Sequence, residues 1–97
     1  MAPAELEALL LSHDEVADAA VIGLPHEKHG EVPKAFVVRQ VKSGVTAAEV
    51  SGFLKDRVAE YKAVAPEHVE FVDAVPKSAA GKILRKELRA LEAARAA

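Results

Sequence analysis

Two apolar runs separated by a short polar loop constrain the fold of this chain more than any other feature. The first run covers residues 16–25 and consists mostly of small aliphatic residues, and the second covers residues 32–41 around Phe36. Continuous runs of this kind are typical of strands that are buried on both faces of a sheet. Because the connection at residues 25–30 is so short, we expect the two strands to pair antiparallel.

Helical patterns lie before and after these strands. A first helix should begin at Pro3, whose missing N–H costs nothing in a first turn, and end near Ser12. Thr46 and Glu49 form a capping box that starts a second helix, which should end near Tyr61. The apolar stripes of these two helices comprise Leu6, Leu9 and Leu10, and Val50, Phe53, Leu54 and Val58.

After the second helix the sequence predicts a strand at residues 69–75, a loop at residues 76–82 and a final helix that begins at Ile83. The final helix should place Leu84, Leu88 and Leu91 on one face, and its alanine-rich end, residues 93–97, should fray. The order of these elements indicates an α+β fold, in which helices pack on a small three-stranded sheet. A chain of 97 residues forms one such domain.

Composition excludes several classes of protein. Hydrophobic residues at 51% and charged residues at 29% are typical of a globular chain. There is no cysteine for a disulfide or a thiolate metal site, and His26 and His29 have no evident third ligand, so we expect no metal site. The net charge of −2 and 4% aromatic residues argue against nucleic-acid binding. No apolar run reaches the ~20 residues of a membrane helix, so we expect a cytoplasmic protein with no membrane partner.

The loop at residues 76–82 carries the most chemistry. The ammonium of Lys82 offers a positive charge and three donors to phosphate or carboxylate oxygens. The loop is not a phosphate-binding P-loop, because Pro76 stands where that motif needs its first glycine and Ile83 where it needs Ser or Thr. Without further context, Lys82 is a surface lysine in the first turn of the final helix.

The sequence Pro-Lys-Ser-Ala-Ala-Gly-Lys-Ile-Leu-Arg-Lys at residues 76–86 resembles the last signature motif of adenylate-forming enzymes. These enzymes include acyl-CoA synthetases, the adenylation domains of nonribosomal peptide synthetases and firefly luciferase, and the ending Lys-Ile-Leu-Arg-Lys is most similar to 4-coumarate–CoA ligases. Residues 18–25 and 30–38 also resemble the C-terminal domain of this family, and residues 2–7 resemble the end of a motif that leads into it. We therefore expect residues 1–97 to be a mobile C-terminal lid domain that follows a large N-terminal domain.

The resemblance implies a ligase that joins a small carboxylic acid to CoA, with ATP and Mg²⁺, through an acyl-adenylate. It implies that Lys82 is the catalytic lysine of adenylation and a target for a lysine acetyltransferase. It also implicates further residues, Pro76, Lys77, Ser78 and Gly81 in the nucleotide loop and Lys62, Arg85 and Lys86 as CoA or phosphate contacts. The partner would be the protein's own N-terminal domain, which would bind ATP, magnesium and the acid, so we expect this chain alone to be inactive.

Two other interpretations stay open from the sequence. The chain could be the lid of an adenylation domain that loads a carrier protein in place of CoA. It could also be a stand-alone binding or regulatory module, with the lysine loop as a docking or acylation site. The α+β architecture by itself fits all of these functions.

Overall fold

A computed structural model describes residues 3–26, 30–58 and 64–96. The elements are α1 (Pro3–Leu11), β1 (Val16–His26), β2 (Gly30–Arg39), α2 (Ala47–Lys55), a 3₁₀ turn (Pro66–His68), β3 (Val69–Phe71) and α3 (Arg85–Ala96). The predicted α+β class and the predicted order of helices and strands are confirmed. The capping box is also present, since the Thr46 hydroxyl accepts the Glu49 N–H and the Glu49 carboxylate accepts the Thr46 N–H.

The sheet in the described part of the chain has the order β1-β2-β3, so β2 is central and β1 lies at an edge. β1 and β2 pair antiparallel, as predicted, with one irregularity in register between Val16 and Asp18. β3 pairs parallel to β2. A parallel pair needs a long crossover connection, and α2 lies within that connection.

Both faces of the sheet are buried, as the continuous apolar runs predicted. One face packs against α1 and α2, and its cluster contains Leu6, Leu10, Val21, Val37, Val50 and Leu54. The other face packs against α3, and its cluster contains Ala20, Ile22, Phe36, Val75 and Leu88. Neighbouring residues of β1 therefore point into different cores, because successive side chains of a strand alternate between faces.

Three predicted boundaries are wrong. α2 ends at Lys55 and not near Tyr61. The prediction extended the helix because Val58 continues its apolar stripe, and Val58 does pack against the same core. It does so from a tighter turn after the helix, in which the Arg57 N–H donates to the Leu54 carbonyl three residues back. β3 stops at Phe71, where the predicted strand continued to residue 75.

The final helix begins at Arg85 and not at Ile83, because Ile83 pairs with Lys77 in an antiparallel bridge and is extended. Its alanine-rich end is helical to Ala96. Leu91, which the spacing placed on the same face as Leu88, is 42% exposed.

Substituting Leu88 and Leu91 separately tests this assignment of the helix face. Leu88 is 3% exposed, so Leu88→Ala should lower the free energy of unfolding by about 2–5 kcal/mol through lost burial and the cavity that is left. Leu91→Ala, the matched control on the same helix, should cost less than about 1 kcal/mol. Urea denaturation of both variants measures the difference, and equal losses would contradict the placement of Leu91 outside the core.

Candidate functional site

Residues 76–84, which contain the loop singled out from the sequence, form a tight hairpin directly before α3. The Ser78 N–H donates to the Lys82 carbonyl at 2.9 Å, and the Gly81 N–H donates back to the Ser78 carbonyl at 2.9 Å. The Ser78 hydroxyl also accepts the Lys82 N–H at 3.3 Å. This is the pattern of a hairpin whose three-residue loop ends in a left-handed residue. The backbone of Lys82 is therefore fixed by hydrogen bonds on both of its polar groups.

Gly81 makes this turn because of its backbone conformation. Its φ is +82°, in the left-handed region that residues with a Cβ rarely adopt. A Cβ at this position would meet nothing within 4 Å, so free space is not what requires glycine. Gly81 thus determines the path of the chain into Lys82.

The direction of the Lys82 side chain follows from the alternation along the hairpin. Ile83 lies opposite Lys77 and packs against the core beneath α3. Because neighbouring residues of an extended segment point to opposite sides, the inward Ile83 turns Lys82 outward. Lys82 is accordingly exposed to solvent. It does not lie in the first turn of the final helix, as the sequence alone suggested, since the helix begins at Arg85.

Lys77 connects the hairpin to the edge of the sheet. Its Nζ lies 2.6 Å from Oδ2 of Asp18, and both side chains are partly exposed. The second oxygen of Asp18, Oδ1, accepts the N–H of Ala19 at 2.9 Å. Lys77 thus has a protein carboxylate as its partner, and a phosphate contact by this residue stays a prediction.

Arg85 is bonded to two other elements at the start of α3. Its guanidinium pairs with Oε1 of Glu7 from α1, and its Nε donates to the Val21 carbonyl of β1 at 3.2 Å. Oε2 of Glu7 accepts the Val21 N–H at 2.7 Å. Glu7 is only 6% exposed, so its charge is compensated inside the protein by Arg85. A phosphate contact by Arg85 would have to compete with Glu7.

A second internal ion pair attaches α3 to the sheet. Lys34 of β2 is largely buried, and its Nζ contacts Oε1 of Glu70 from β3 at 3.0 Å and Oε1 of Glu92 from α3. Sequence reasoning missed the partners of Lys34, Glu7 and Asp18. The available signal was a charged residue among the apolar residues of each run, Asp18 in the first and Lys34 in the second. A charge in a buried strand needs a partner, but the sequence does not show which one.

Other residues named from the sequence are placed more simply. Lys86 is exposed in the first turn of α3, and Pro76 is half-buried at the start of the hairpin. Lys62 and His29 lie outside the described residues.

Across residues 3–26, 30–58 and 64–96, no group of three His, Asp or Glu side chains is arranged to hold a metal ion. Within those same ranges, no helix has the length and apolar character to cross a membrane.

The fold and the hairpin define a small α+β domain that presents the exposed Lys82 on a hydrogen-bonded loop. Residues 5–82 match the model of a family described as the AMP-binding enzyme C-terminal domain. The match ends on Lys82 and includes most of the hairpin. The chain therefore belongs to the family of AMP-binding enzyme C-terminal domains, which confirms the resemblance drawn from residues 76–86.

Relatives and solved structures agree with this assignment. The chain is 55% identical over 94 residues to 4-coumarate–CoA ligase 2 of Nicotiana tabacum, which covers 97% of the chain and 17% of the relative. It superposes on a fatty acyl-CoA synthetase of Mycobacterium tuberculosis with a TM-score of 0.83 and 38% identity, over 96% of the chain and 18% of that structure. For o-succinylbenzoate CoA synthetase of Bacillus subtilis, solved with an acyl-adenylate intermediate, the TM-score is 0.81 and the identity 39%, over 92% and 18%. The chain thus spans less than a fifth of the length of each of these three proteins.

Replacing Gly81 tests the backbone requirement of the hairpin. Gly81→Ala should lower the free energy of unfolding by about 1–2 kcal/mol, because alanine is strained at positive φ. Gly44→Ala is the matched control, since Gly44 has open space around its Cα and no positive φ, and it should be neutral or slightly stabilising. Chemical denaturation measures both, and a neutral Gly81→Ala would contradict the role assigned to its backbone.

Two substitutions of Glu7 should separate its two contacts. Glu7→Gln keeps an oxygen for the Val21 N–H but removes the charge opposite Arg85, and should cost about 1–3 kcal/mol. Glu7→Ala removes both contacts and should cost about 3–5 kcal/mol. Thermal and urea unfolding give the order of stability, and equal losses for the two variants would show that the bond to Val21 adds nothing.

Proposed function

We propose that this chain is the lid domain of a carboxylic acid–CoA ligase of the 4-coumarate type, and that it supplies Lys82 to the formation of the acyl-adenylate. The observation that carries the proposal is the exposed ammonium of Lys82 on a hairpin whose backbone is fixed, within the region matched by the family. The names of the relatives support the reaction class, since they are CoA ligases and acyl-CoA synthetases.

The chemistry of adenylation explains why a lysine is needed. A carboxylate oxygen of the acid attacks the α-phosphorus of ATP, a new O–P bond forms, and the bond to pyrophosphate breaks as pyrophosphate leaves with the electron pair. Nucleophile and target are both anionic, so they repel each other. A single ammonium between them offsets this repulsion and holds the geometry of attack. Lys82 would fill this role, because it carries a point charge that can approach both groups.

The domain contributes only part of the site. Among the described residues, no three His, Asp or Glu side chains are grouped to hold a metal ion. We propose that the rest of the protein holds magnesium, ATP and the acid. When bound, magnesium supplies charge neutralisation on the phosphates. The task of this domain is then to bring Lys82 to the reacting groups and to cover them from water.

The second half-reaction needs a different arrangement. The CoA thiol gives up its proton to solvent, its sulfur attacks the acyl carbon and forms the C–S bond, and AMP leaves with the electron pair of the acyl–phosphate bond. No pair of anions has to be joined at the phosphorus in this step, so Lys82 is not required. We propose that the domain rotates between the two steps, as one rigid body held together by its internal ion pairs, and admits CoA.

The exposure of Lys82 would also allow regulation. A lysine acetyltransferase could reach its ammonium, and acetylation removes the positive charge. Acetylated protein should therefore lose adenylation and keep the thioester step.

The Lys82→Ala variant of the full-length protein tests the proposal. ATP–pyrophosphate exchange with a panel of aryl and fatty acids should fall by about 10²–10³-fold, because one preorganised donor is lost from the transition state. Formation of the thioester from preformed acyl-adenylate and CoA should persist.

Lys55→Ala is the control, because it also removes one exposed lysine but lies at the end of α2, far along the chain from the hairpin. The Lys55→Ala variant should exchange pyrophosphate at the rate of the protein without a substitution. Unchanged exchange in Lys82→Ala would overturn the proposed role and favour a binding module.

A further inference from the structure

We propose that Asp18 and Lys77 are positioning residues for Lys82, and that their ion pair places the hairpin for adenylation. The inference rests on the proposed function of Lys82. In this inference Lys77 binds Asp18 and so fixes the position of the hairpin, and it does not contact phosphate directly.

The hairpin needs anchors because it is small. An isolated two-stranded hairpin is marginal in water, and this one has only a few cross-strand bonds. The arm that enters α3 is anchored by the packing of Ile83 and by the contacts of Arg85 with Glu7 and Val21. The other arm follows Val75, which is buried. This arm contacts the sheet through the partly exposed ion pair between Lys77 and Asp18.

Asp18 is suited to hold the hairpin because it is itself held. Its Oδ1 accepts the Ala19 N–H at 2.9 Å, which leaves Oδ2 directed to Lys77 at 2.6 Å. Asp18 also lies at the register irregularity of β1, and such bulges redirect a side chain relative to a regular strand. This explains why a carboxylate interrupts an otherwise apolar strand.

Lys77 and Lys82 are linked through the hairpin geometry. Lys77 is bridged to Ile83, the residue after Lys82, and Ser78, the residue after Lys77, bonds to Lys82. If Lys77 moves away from Asp18, its neighbour Ser78 moves as well, and the hydrogen bond between Ser78 and Lys82 passes the shift to the Lys82 backbone. The rate of a step that depends on alignment is sensitive to displacements of about 1 Å.

The test uses the full-length enzyme with Asp18→Asn, Lys77→Ala and the double variant. Asn keeps an oxygen for the Ala19 N–H and removes only the charge, so it is the least disruptive change at this site. Each variant should lower kcat of ATP–pyrophosphate exchange by about tenfold, with KM for ATP unchanged, through misplacement of Lys82. The double variant should be no slower than the single ones, because all three break the same pair.

Two further readouts separate positioning from other roles. Thioester formation from preformed acyl-adenylate should stay at the unmodified rate, and Lys77→Arg should restore exchange, because arginine keeps the charge opposite Asp18. A rise in KM for ATP in Lys77→Ala, with Asp18→Asn unaffected, would overturn the inference and identify Lys77 as a phosphate contact. An equal fall in both half-reactions, in step with the unfolding midpoint, would also overturn it in favour of a purely structural role.

Lys82→Ala, measured alongside, distinguishes this inference from the proposed function. If Lys82→Ala abolishes exchange while Asp18→Asn and Lys77→Ala exchange normally, the positioning role fails and the function of Lys82 stands. If Lys82→Ala also exchanges normally, the proposed function fails and the positioning role fails with it.

Discussion

The outer edge of β1 is the constraint on which the rest of the domain depends. In the described part of the chain β1 is long and has a strand partner on one side only. Unpaired backbone groups on such an edge invite pairing with other chains. At Val21, in the middle of the strand, a Glu7 oxygen accepts the N–H and Arg85 donates to the carbonyl. These two side chains cover a part of the edge that a further strand would otherwise occupy, and they join α1, β1 and α3 in one contact.

The candidate site depends on the same edge. Asp18, three residues before Val21 along β1, pairs with Lys77 of the hairpin, and Arg85 follows the hairpin at the start of α3. The hairpin that carries Lys82 is therefore attached to β1 through charged contacts at both of its ends. These contacts let a short loop hold its backbone while the Lys82 side chain stays in solvent. Under the proposed function, this combination of a fixed backbone and an exposed ammonium would suit a lysine that has to be aligned with a reacting phosphate.

The interior is held by charge as well as by apolar packing. Aliphatic side chains fill both faces of the sheet, and the largely buried Lys34 adds a link from β2 to Glu70 and Glu92 on β3 and α3. Such buried pairs contribute little net stability, since desolvation offsets their attraction. They do penalise any arrangement that leaves one charge alone, so they favour a single placement of α3 on the sheet. A domain proposed to rotate as a unit gains from that uniqueness.

The sequence by itself determined the α+β class, the order of the elements, the antiparallel pairing of β1 and β2 and the family, because hydrophobic period, capping residues and a long motif are local properties. The motif also singled out Lys82 as the candidate catalytic residue, and that role stays a prediction. Only the tertiary structure decided that residues 76–84 form a hairpin, that α3 begins at Arg85, and that Leu91 lies outside the core. It also decided that Asp18 and Glu7 are the partners of Lys77 and Arg85. Those outcomes depend on contacts between residues that are far apart in the chain. A local sequence pattern does not predict which distant charged residue will pair with a given charge.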